Sequence, residues 1–402
     1  MIRKEIVVYS LRNLWKRKSR SFFTILSIFM GITAIFVFTS FGIGLYAYVE
    51  KTIGESATDK IIVQPKGAGA TGLSETFVLT EDDLEAVEKS PGVYEATGIY
   101  IKPAEVRQKD IKKHAFLIAY DPKKPLVIET SNIEIEKGRA LKKGDEGKVV
   151  LGYNYMIKDR IFPEAYELND VIEVQGQKLR IVGFYSEVGS PQDDSNIYII
   201  SDFIDELYPD KNNSYSWIIA RVDPERIEET ILNIEKNLRK ARDLEKGKED
   251  FFVQSFEEMI ESYLNILDII IKFVILIALV SVVVSAINTS NTMTTSVLER
   301  TKEIGTMKAV GARNSDIFKI FLFESGFLGL IGGIIGVCIG FILSSIGRII
   351  LDRVGWGFLQ PSFPFYLFLG NILFAIFTGA ISGVVPALQA SRLKPAETLR
   401  YE

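Results

Sequence analysis

The chain has 402 residues, of which 47% are hydrophobic and 24% are charged, and its formal net charge at pH 7 is −4. This composition excludes both an ordinary soluble protein and a protein wholly embedded in a membrane. The charge is strongly partitioned, because residues 50–261 carry −13 and the remaining residues carry +9, a pattern typical of an extracytoplasmic domain joined to segments at an anionic membrane surface.

The first 47 residues predict a surface helix followed by a membrane span. Residues 1–20 contain seven basic side chains with apolar residues between them at helical spacing, which predicts a cytoplasmic amphipathic helix on the inner membrane surface. A secretory signal peptide is excluded, because the uncharged run from Ser21 to Val49 has 29 residues, far more than an h-region of roughly 7–15 residues. We therefore predict the first transmembrane helix at 21–47.

Residues 48–262 predict one extracytoplasmic α+β domain. Two β-α-β units are indicated, the first with a helix capped by Thr80 and the second with a helix that begins after Asp223-Pro224. Short strands lie between these units, with a hairpin turn at Gln175-Gly176. The pattern predicts a split βαβ, porter-like part with a mostly β insertion. The predicted strands are 60–64, 93–100, 149–151, 171–174, 178–184, 196–200, 216–222 and 251–254.

Three further spans follow the domain. The charge-free runs Phe273–Leu298 and Ser325–Gly347 have 26 and 23 residues, and Pro361 and Pro364 interrupt the start of a third run. Each run exceeds the roughly 20 apolar residues that cross the hydrocarbon layer. We predict an α-helical membrane protein with four transmembrane helices. The later segments are transmembrane helices at 263–298, 318–347 and 365–388, a short outside loop at 348–364 and a cytoplasmic tail at 389–402.

The orientation follows from the basic residues in short loops, since long domains cross the membrane regardless of charge. Segments 1–20, 296–319 and 389–402 together hold 15 Lys and Arg residues, whereas the loop at 348–364 holds two. This asymmetry predicts cytoplasmic termini and an extracytoplasmic large domain in a multi-pass protein of the cell membrane.

A short charged segment at 299–317 separates the second and third spans. Ile304, Met307 and Val310 recur at i, i+3 and i+6 among charged residues, and Gly311 is a helix-stop signal. The residues alone fit two placements: a helix held to lipid by its lysines, or a helix docked into a protein groove. Because Glu299 and Glu303 would face anionic headgroups, docking explains the mixed charges better.

Residues 299–312 read ERTKEIGTMKAVGA, residues 321–324 read FLFE, and residues 386–395 read PALQASRLKP. These stretches resemble the MacB/FtsX-type permeases of ABC transporters, and nearly the whole chain fits that family's layout. The Gly138-Arg139 and Val182-Gly183 pairs also resemble the family's outside domain.

The resemblance implies a permease subunit that works with a separate ATP-binding subunit and a second permease copy, as a homodimer or heterodimer. It implies mechanotransmission: ATP hydrolysis moves a coupling helix, the spans move, and the outside domain changes shape to export or extract a substrate. The residues that would couple to the ATPase are Glu303, Ile304, Gly305, Met307, Lys308 and Gly311.

Two features of the third span have alternative interpretations. Gly332, Gly336 and Gly340 repeat every four residues, and such a row lets backbones approach closely in lipid, either within the chain or between two copies. Glu324 is an acid beside a span and needs a partner or water. A pairing with Lys319 at the cytoplasmic edge is its plainer interpretation, and a relay for substrate is the alternative.

No catalytic, cofactor-binding or metal-binding constellation is predicted. A GxxxxGK[ST] loop is missing, so the chain itself is not expected to bind ATP, and the single His114 and Cys338 build neither a metal site nor a Cys/His pair. Basic residues flank apolar runs, which excludes a nucleic-acid partner. Two other functions stay open: an ATPase-linked regulator or scaffold that activates an extracytoplasmic partner such as a cell-wall hydrolase, without transport, and a receptor with no ATPase.

Overall fold

The computed structural model describes residues 18–53, 58–66, 78–209, 214–357 and 359–394. The surface helix predicted over 1–20 lies outside this range except for 18–20, which begin the first helix. The described residues divide into a membrane unit, drawn from Met1–Leu45, Leu267–Ile349 and Gln360–Glu402, and a sheet unit, drawn from Tyr46–Ile266 and Ile350–Leu359.

The predicted helices and strands of the described residues occur in the predicted order, and two strands and two short helices that were not predicted lie among them. The α-helices of the described residues are α1 (Lys18–Ile53), α2 (Glu81–Glu88), α3 (Leu126–Thr130), α4 (Ile204–Leu207), α5 (Ile227–Ala241), α6 (Phe256–Glu299), α7 (Thr301–Ala309), α8 (Asn314–Val354) and α9 (Phe365–Arg392). The β-strands are β1 (Lys60–Pro65), β2 (Val93–Gln108), β3 (Ile111–Tyr120), β4 (Ile135–Gly138), β5 (Lys148–Leu151), β6 (Val171–Val174), β7 (Gln177–Tyr185), β8 (Ile197–Ile200), β9 (Trp217–Val222) and β10 (Phe251–Ser255).

Four of these helices, α1, α6, α8 and α9, are long and apolar enough to cross a membrane. The prediction of four spans is confirmed. Helices α1, α6 and α8 are longer than their charge-free runs, because helical hydrogen bonding continues past the hydrocarbon layer into polar sequence. α6 has 44 residues and α8 has 41.

Two apolar clusters hold the membrane unit together. One contains Ile28, Ile32 and Phe36 of α1 with residues of α8 and α9. The other joins α6, α7, α8 and α9 around Phe321, which is fully buried. Since lipid is as apolar as these side chains, close contact between the helices stabilises the bundle more than removal from water does.

The sheet unit contains one mixed sheet in the order β10-β1-β9-β2-β3-β8-β5-β7-β4, and β6 pairs with β2 and β7. Helix α2 connects β1 to β2, and helix α5 connects β9 to β10. Both helices pack on one face of these strands, where Val87, Ile234 and Leu238 are fully buried. The two predicted β-α-β units and the mostly β insertion between them are confirmed.

The hairpin of β2 and β3 was not predicted in full. The strand expected at 93–100 continues to Gln108 and pairs with β3 in antiparallel register. Pro103 and the run of charges after it concealed this extension, because proline and charged residues are depleted in strands. Lys109, with φ 55°, makes the turn between the two strands.

Two dipeptides that resemble the family pattern lie side by side in the sheet unit. Gly138 of β4 is opposite Gly183 of β7, and the Arg139 amide donates to the Val182 carbonyl at 3.0 Å. A Cβ on either glycine would lie 2.4 Å from a backbone oxygen of the neighbouring segment, so only glycine fits. Arg139 also pairs with Asp145 at 2.6 Å, and this guanidinium, with help from Lys148, holds the pKa of the Asp145 carboxyl below its usual range.

The last residues of α1 and of α8 belong to the sheet unit and contact its loops. Arg160 donates to the Asp352 carbonyl at 3.2 Å, and the Tyr48 hydroxyl at the end of α1 donates to the Val188 carbonyl at 3.0 Å. The buried Asp194 accepts the amides of Val188 and Gly189 at 2.7 and 2.8 Å, and burial raises the pKa of this carboxyl to about 6. The loop at Val188 and Gly189, which Asp194 holds by two hydrogen bonds, therefore contacts the end of α1. Arg160 contacts the end of α8.

Candidate functional site

The short helix α7 lies between the spanning helices α6 and α8 and contains most of the residues that the sequence singled out. α6 ends at Glu299, Arg300 interrupts the helical path with φ −106° and ψ 12°, and α7 begins at Thr301. Gly311, with φ 107°, ends the segment in a left-handed conformation that favours glycine, and α8 begins at Asn314. A short helix between two spans is thus present where the pattern predicts it.

One side of α7 is buried inside the membrane unit. Ile304 has 0% of its surface exposed and packs with Ile317 and Phe321 of α8. Gly305 is buried as well, and Met307 is half-buried against the same cluster. This placement corrects the prediction that Ile304 anchors the helix in a partner's groove, because its side chain is enclosed by its own chain.

The other side of α7 is open. Lys302, Thr306, Ala309 and Val310 are exposed, and Val310 has 85% of its surface exposed; we call these four residues the docking face. The sequence pattern grouped Val310 with Ile304, but residues six apart lie about 120° apart around a helix of 3.6 residues per turn. Ile304 is therefore buried, whereas Val310 lies on the exposed side.

Lys308 ties α7 to the end of α9. Its Nζ donates to the carbonyls of Ser391 and Leu393, both at 2.6 Å. A lysine placed at the last carbonyls of a helix satisfies acceptors that have no partner within the helix, and its charge interacts favourably with the helix dipole. Lys308 thus connects α7 to α9, and it does not belong to the docking face.

A buried ion pair ties the junction of α6 and α7 to α8. The Arg300 Nη1 donates to Glu324 Oε2 at 3.0 Å, and the two side chains are only 3% and 5% exposed. The guanidinium carbon also lies 5.1 Å from the centre of the Phe321 ring, and Arg300 Nε donates to the exposed Glu303 at 3.1 Å. Glu324 therefore pairs with Arg300 and not with Lys319, which corrects the sequence interpretation.

Sequence reasoning missed Arg300 as a site residue, although Glu324 was a signal. A carboxylate beside a span needs a partner, and the candidates on the cytoplasmic side were the five basic residues of 296–319. Proximity in sequence favoured Lys319. The break between α6 and α7 brings Arg300 back against α8, and the residue pattern alone did not reveal this turn.

The glycine row of α8 faces α1. A Cβ added to Gly332 would lie 2.9 Å from the Cβ of Ile28, one added to Gly340 would lie 2.9 Å from Phe36, and one added to Gly336 would lie 3.0 Å from both the Ile32 Cβ and a carbonyl oxygen. These three residues of α1 also repeat every four positions. The sequence left open whether the glycine row packs within the chain or against a second copy, and in the structure it packs within the chain.

Leucine in place of Gly336 should disrupt the membrane unit. The larger side chain would drive α8 away from α1, because Ile32 and the α1 backbone occupy its space. We expect cellular abundance and the melting temperature in detergent to fall sharply. Gly370→Leu is the matched control, since nothing lies within 4 Å of a Cβ on Gly370; equal behaviour of the two variants would refute the contact.

Comparison with known families matches most of the chain. The family model for the FtsX-like permease C-terminal domain matches residues 275–395, and the model for the MacB-like periplasmic core domain matches residues 21–236. The first match includes α7, the docking face and the glycine row. The second begins within α1 and ends within α5.

Several relatives are similar to the chain over nearly its whole length. An ABC transporter permease of Methanocaldococcus jannaschii is 31% identical over 99% of this chain and 98% of its own. The ABC transporter permease YknZ of Bacillus subtilis is 25% identical over 99% of both chains. The macrolide export ATP-binding/permease protein MacB of Salmonella typhi is 28% identical over 96% of this chain, which spans 59% of the length of that relative.

Proposed function

The chain belongs to the family of MacB-like and FtsX-like ABC transporter permeases, and from this premise we propose that it couples ATP hydrolysis by a separate ATPase subunit to movement of its sheet unit. The observation that carries the proposal is the placement of α7. This helix is fixed to the spanning helices on one side and leaves the docking face open on the other.

A push on the docking face would pass directly into the bundle. Ile304 is fully buried inside the bundle. Arg300 forms an ion pair with Glu324 of α8, and Lys308 donates a hydrogen bond to the end of α9. Closely packed interiors transmit displacement because they have low compressibility. The three contacts support movement of α6, α8 and α9 together with α7.

The connections at the other ends of the spans support transfer of that movement to the sheet unit. β10 ends at Ser255 and α6 begins at Phe256, so no linker separates them. β1 begins seven residues after the end of α1 and pairs with β10. A shift of α6 relative to α1 would therefore act on two neighbouring strands. We propose that the resulting change in the sheet unit performs the export or extraction step.

The ATPase would be a separate subunit. The sequence has no phosphate-binding loop of the GxxxxGK[ST] type, and the relatives of similar length are described as permeases. We expect the purified chain to hydrolyse no ATP and a complex with its ATPase subunit to do so. A partner variant without its phosphate-loop lysine is the control. ATP hydrolysis by the chain alone would refute this division of labour.

We also propose that α7 is cytoplasmic and the sheet unit extracytoplasmic, as the distribution of basic residues favours. In a Cys338→Ser background, Lys143→Cys should react in intact cells with a thiol reagent that does not cross membranes, whereas Thr306→Cys should react only after permeabilisation. Both positions are exposed. Labelling of Thr306→Cys alone in intact cells would reverse the orientation.

A further inference from the structure

The sheet unit contains a cavity beside the short helix α3. Its volume is about 510 Å³, within the range of roughly 300–1,000 Å³ that is typical of small-molecule sites. One wall is apolar and includes Pro125, Ile128 and Ile133. The other wall carries four charged side chains, which are Asp59, Lys60, Glu129 and Arg221. We call these four residues the charged ring.

The members of the charged ring alternate in sign and contact one another in turn. Lys60 Nζ lies 2.7 Å from Asp59 Oδ1 and 3.4 Å from Glu129 Oε2. Arg221 pairs with the same two acids, because its Nη2 contacts Glu129 Oε2 and its Nε lies 3.7 Å from Asp59 Oδ2. Each cation therefore has both carboxylates as neighbours, and the four residues together carry no net charge.

The register of the sheet brings the two cations of the charged ring together. Lys60 of β1 is directly opposite Arg221 of β9, and like charges in that position destabilise a strand pair. The Lys60 side chain is also only 3% exposed. Replacing buried ion pairs with apolar residues is often neutral or stabilising, so folding alone does not explain why charges converge on this cavity.

Three members of the charged ring retain bonding capacity for a ligand. The side chains of Asp59, Glu129 and Arg221 are 30%, 37% and 33% exposed. Glu129 contacts both cations through Oε2, and a carboxylate accepts through both of its oxygens. The guanidinium of Arg221 has five N–H donors, and within the described part of the chain its Nε has no hydrogen-bond partner. The charged ring can therefore bind a cation and an anion side by side.

We propose that this cavity binds a zwitterion, namely an amino acid or a short peptide with an apolar side chain. The ammonium group of the ligand bonds to Glu129 and Asp59, and its carboxylate bonds to Arg221. The apolar side chain packs against the wall that contains Ile128 and Ile133. Both charged ends are then paired, as charges that leave water require. The site lies within the sheet unit, and the proposal does not depend on the proposed function.

Isothermal titration calorimetry of the full chain in detergent tests the site with L-leucine and L-leucyl-L-leucine as probes. We expect saturable binding of at least one, and the tighter of the two identifies a free amino acid or a peptide as the source. Acetylation of its amine or amidation of its carboxylate should each weaken binding about tenfold or more, because each removes charge-assisted hydrogen bonds. These derivatives are compared on the wild-type chain, so misfolding of a variant cannot produce the difference.

Glu129→Gln should also weaken binding of the tighter probe about tenfold, because the ammonium group loses a charged acceptor. Its melting temperature is measured alongside, since Lys60 keeps Asp59 as a partner in this variant. Glu105→Gln is the matched control. Glu105 likewise pairs with two cations, Arg107 and Lys112, both at 3.1 Å, and its side chain is 32% exposed. Binding by this control should equal that of the wild type.

Three results would overturn the proposal: no saturable binding of either probe to the folded chain, equal binding of the blocked derivatives, or an equal loss of binding in Glu105→Gln. Binding of phosphoethanolamine without binding of either probe would overturn it too, because that result indicates a lipid headgroup site. The ATPase subunit is absent from these titrations, so failure of the zwitterion site and failure of ATPase coupling are separate results.

Discussion

Replacing Glu324 with alanine should nearly abolish accumulation of the folded chain. The substitution leaves the Arg300 guanidinium in a site where its side chain is 3% exposed, without the carboxylate that lies 3.0 Å away. Removing one partner of a buried ion pair typically costs about 3–5 kcal/mol, a large share of the stability of most proteins. Abundance in membranes and the melting temperature in detergent measure the loss.

Glu303→Ala is the matched control for this prediction. Glu303 also accepts a hydrogen bond from Arg300, but its side chain is 56% exposed, and exposed pairs contribute roughly 0–1 kcal/mol. We expect little change in melting temperature. The double variant Arg300→Met with Glu324→Leu should recover part of the stability, because it removes both buried charges. A stable Glu324→Ala variant would show that the pair does not hold α8 to the junction of α6 and α7.

The spans and the two β-α-β units could be predicted from the sequence because each depends on a local pattern. A charge-free run longer than about 20 residues has few alternatives to a spanning helix. The cap at Thr80, where the amide donates to Asp83 at 2.7 Å, and the turn at Gln175-Gly176, where both residues have positive φ, depend on neighbours within four residues.

The remaining errors all concern contacts between distant residues. The partner of Glu324 is 24 positions earlier in the chain, and the side of α7 that meets α8 depends on how Arg300 turns the helix. The extension of β2 depends on its pairing with β3, which supplies hydrogen bonds that outweigh an unfavourable proline. Sequence periodicity describes one element at a time, so it does not determine which face of α7 is covered.

Val310→Asp should abolish association with the ATPase subunit while the chain still folds. Val310 has 85% of its surface exposed on the docking face, so an aspartate there costs little in the free chain. In an interface it would be an unpaired buried charge, for which about 3–5 kcal/mol is the usual scale, and binding would weaken at least about 100-fold. Lys302→Gln should have a milder effect, because rim charges contribute less than apolar anchors.

Two further variants separate docking from folding. Ile304→Asp places a charge at a fully buried site, so we expect it to lower abundance through misfolding of the bundle. Val171→Asp makes the same exchange as Val310→Asp at an exposed valine of the sheet unit, and it should leave both folding and ATPase association unchanged.

Co-purification of the ATPase subunit with Val310→Asp tests the coupling role of α7 most directly. The chain is isolated from membranes, its melting temperature is compared with that of the wild type, and the bound ATPase is quantified against Val171→Asp. We expect an unchanged melting temperature and a loss of bound ATPase for Val310→Asp. Full retention of the ATPase by a folded Val310→Asp variant would contradict docking at α7.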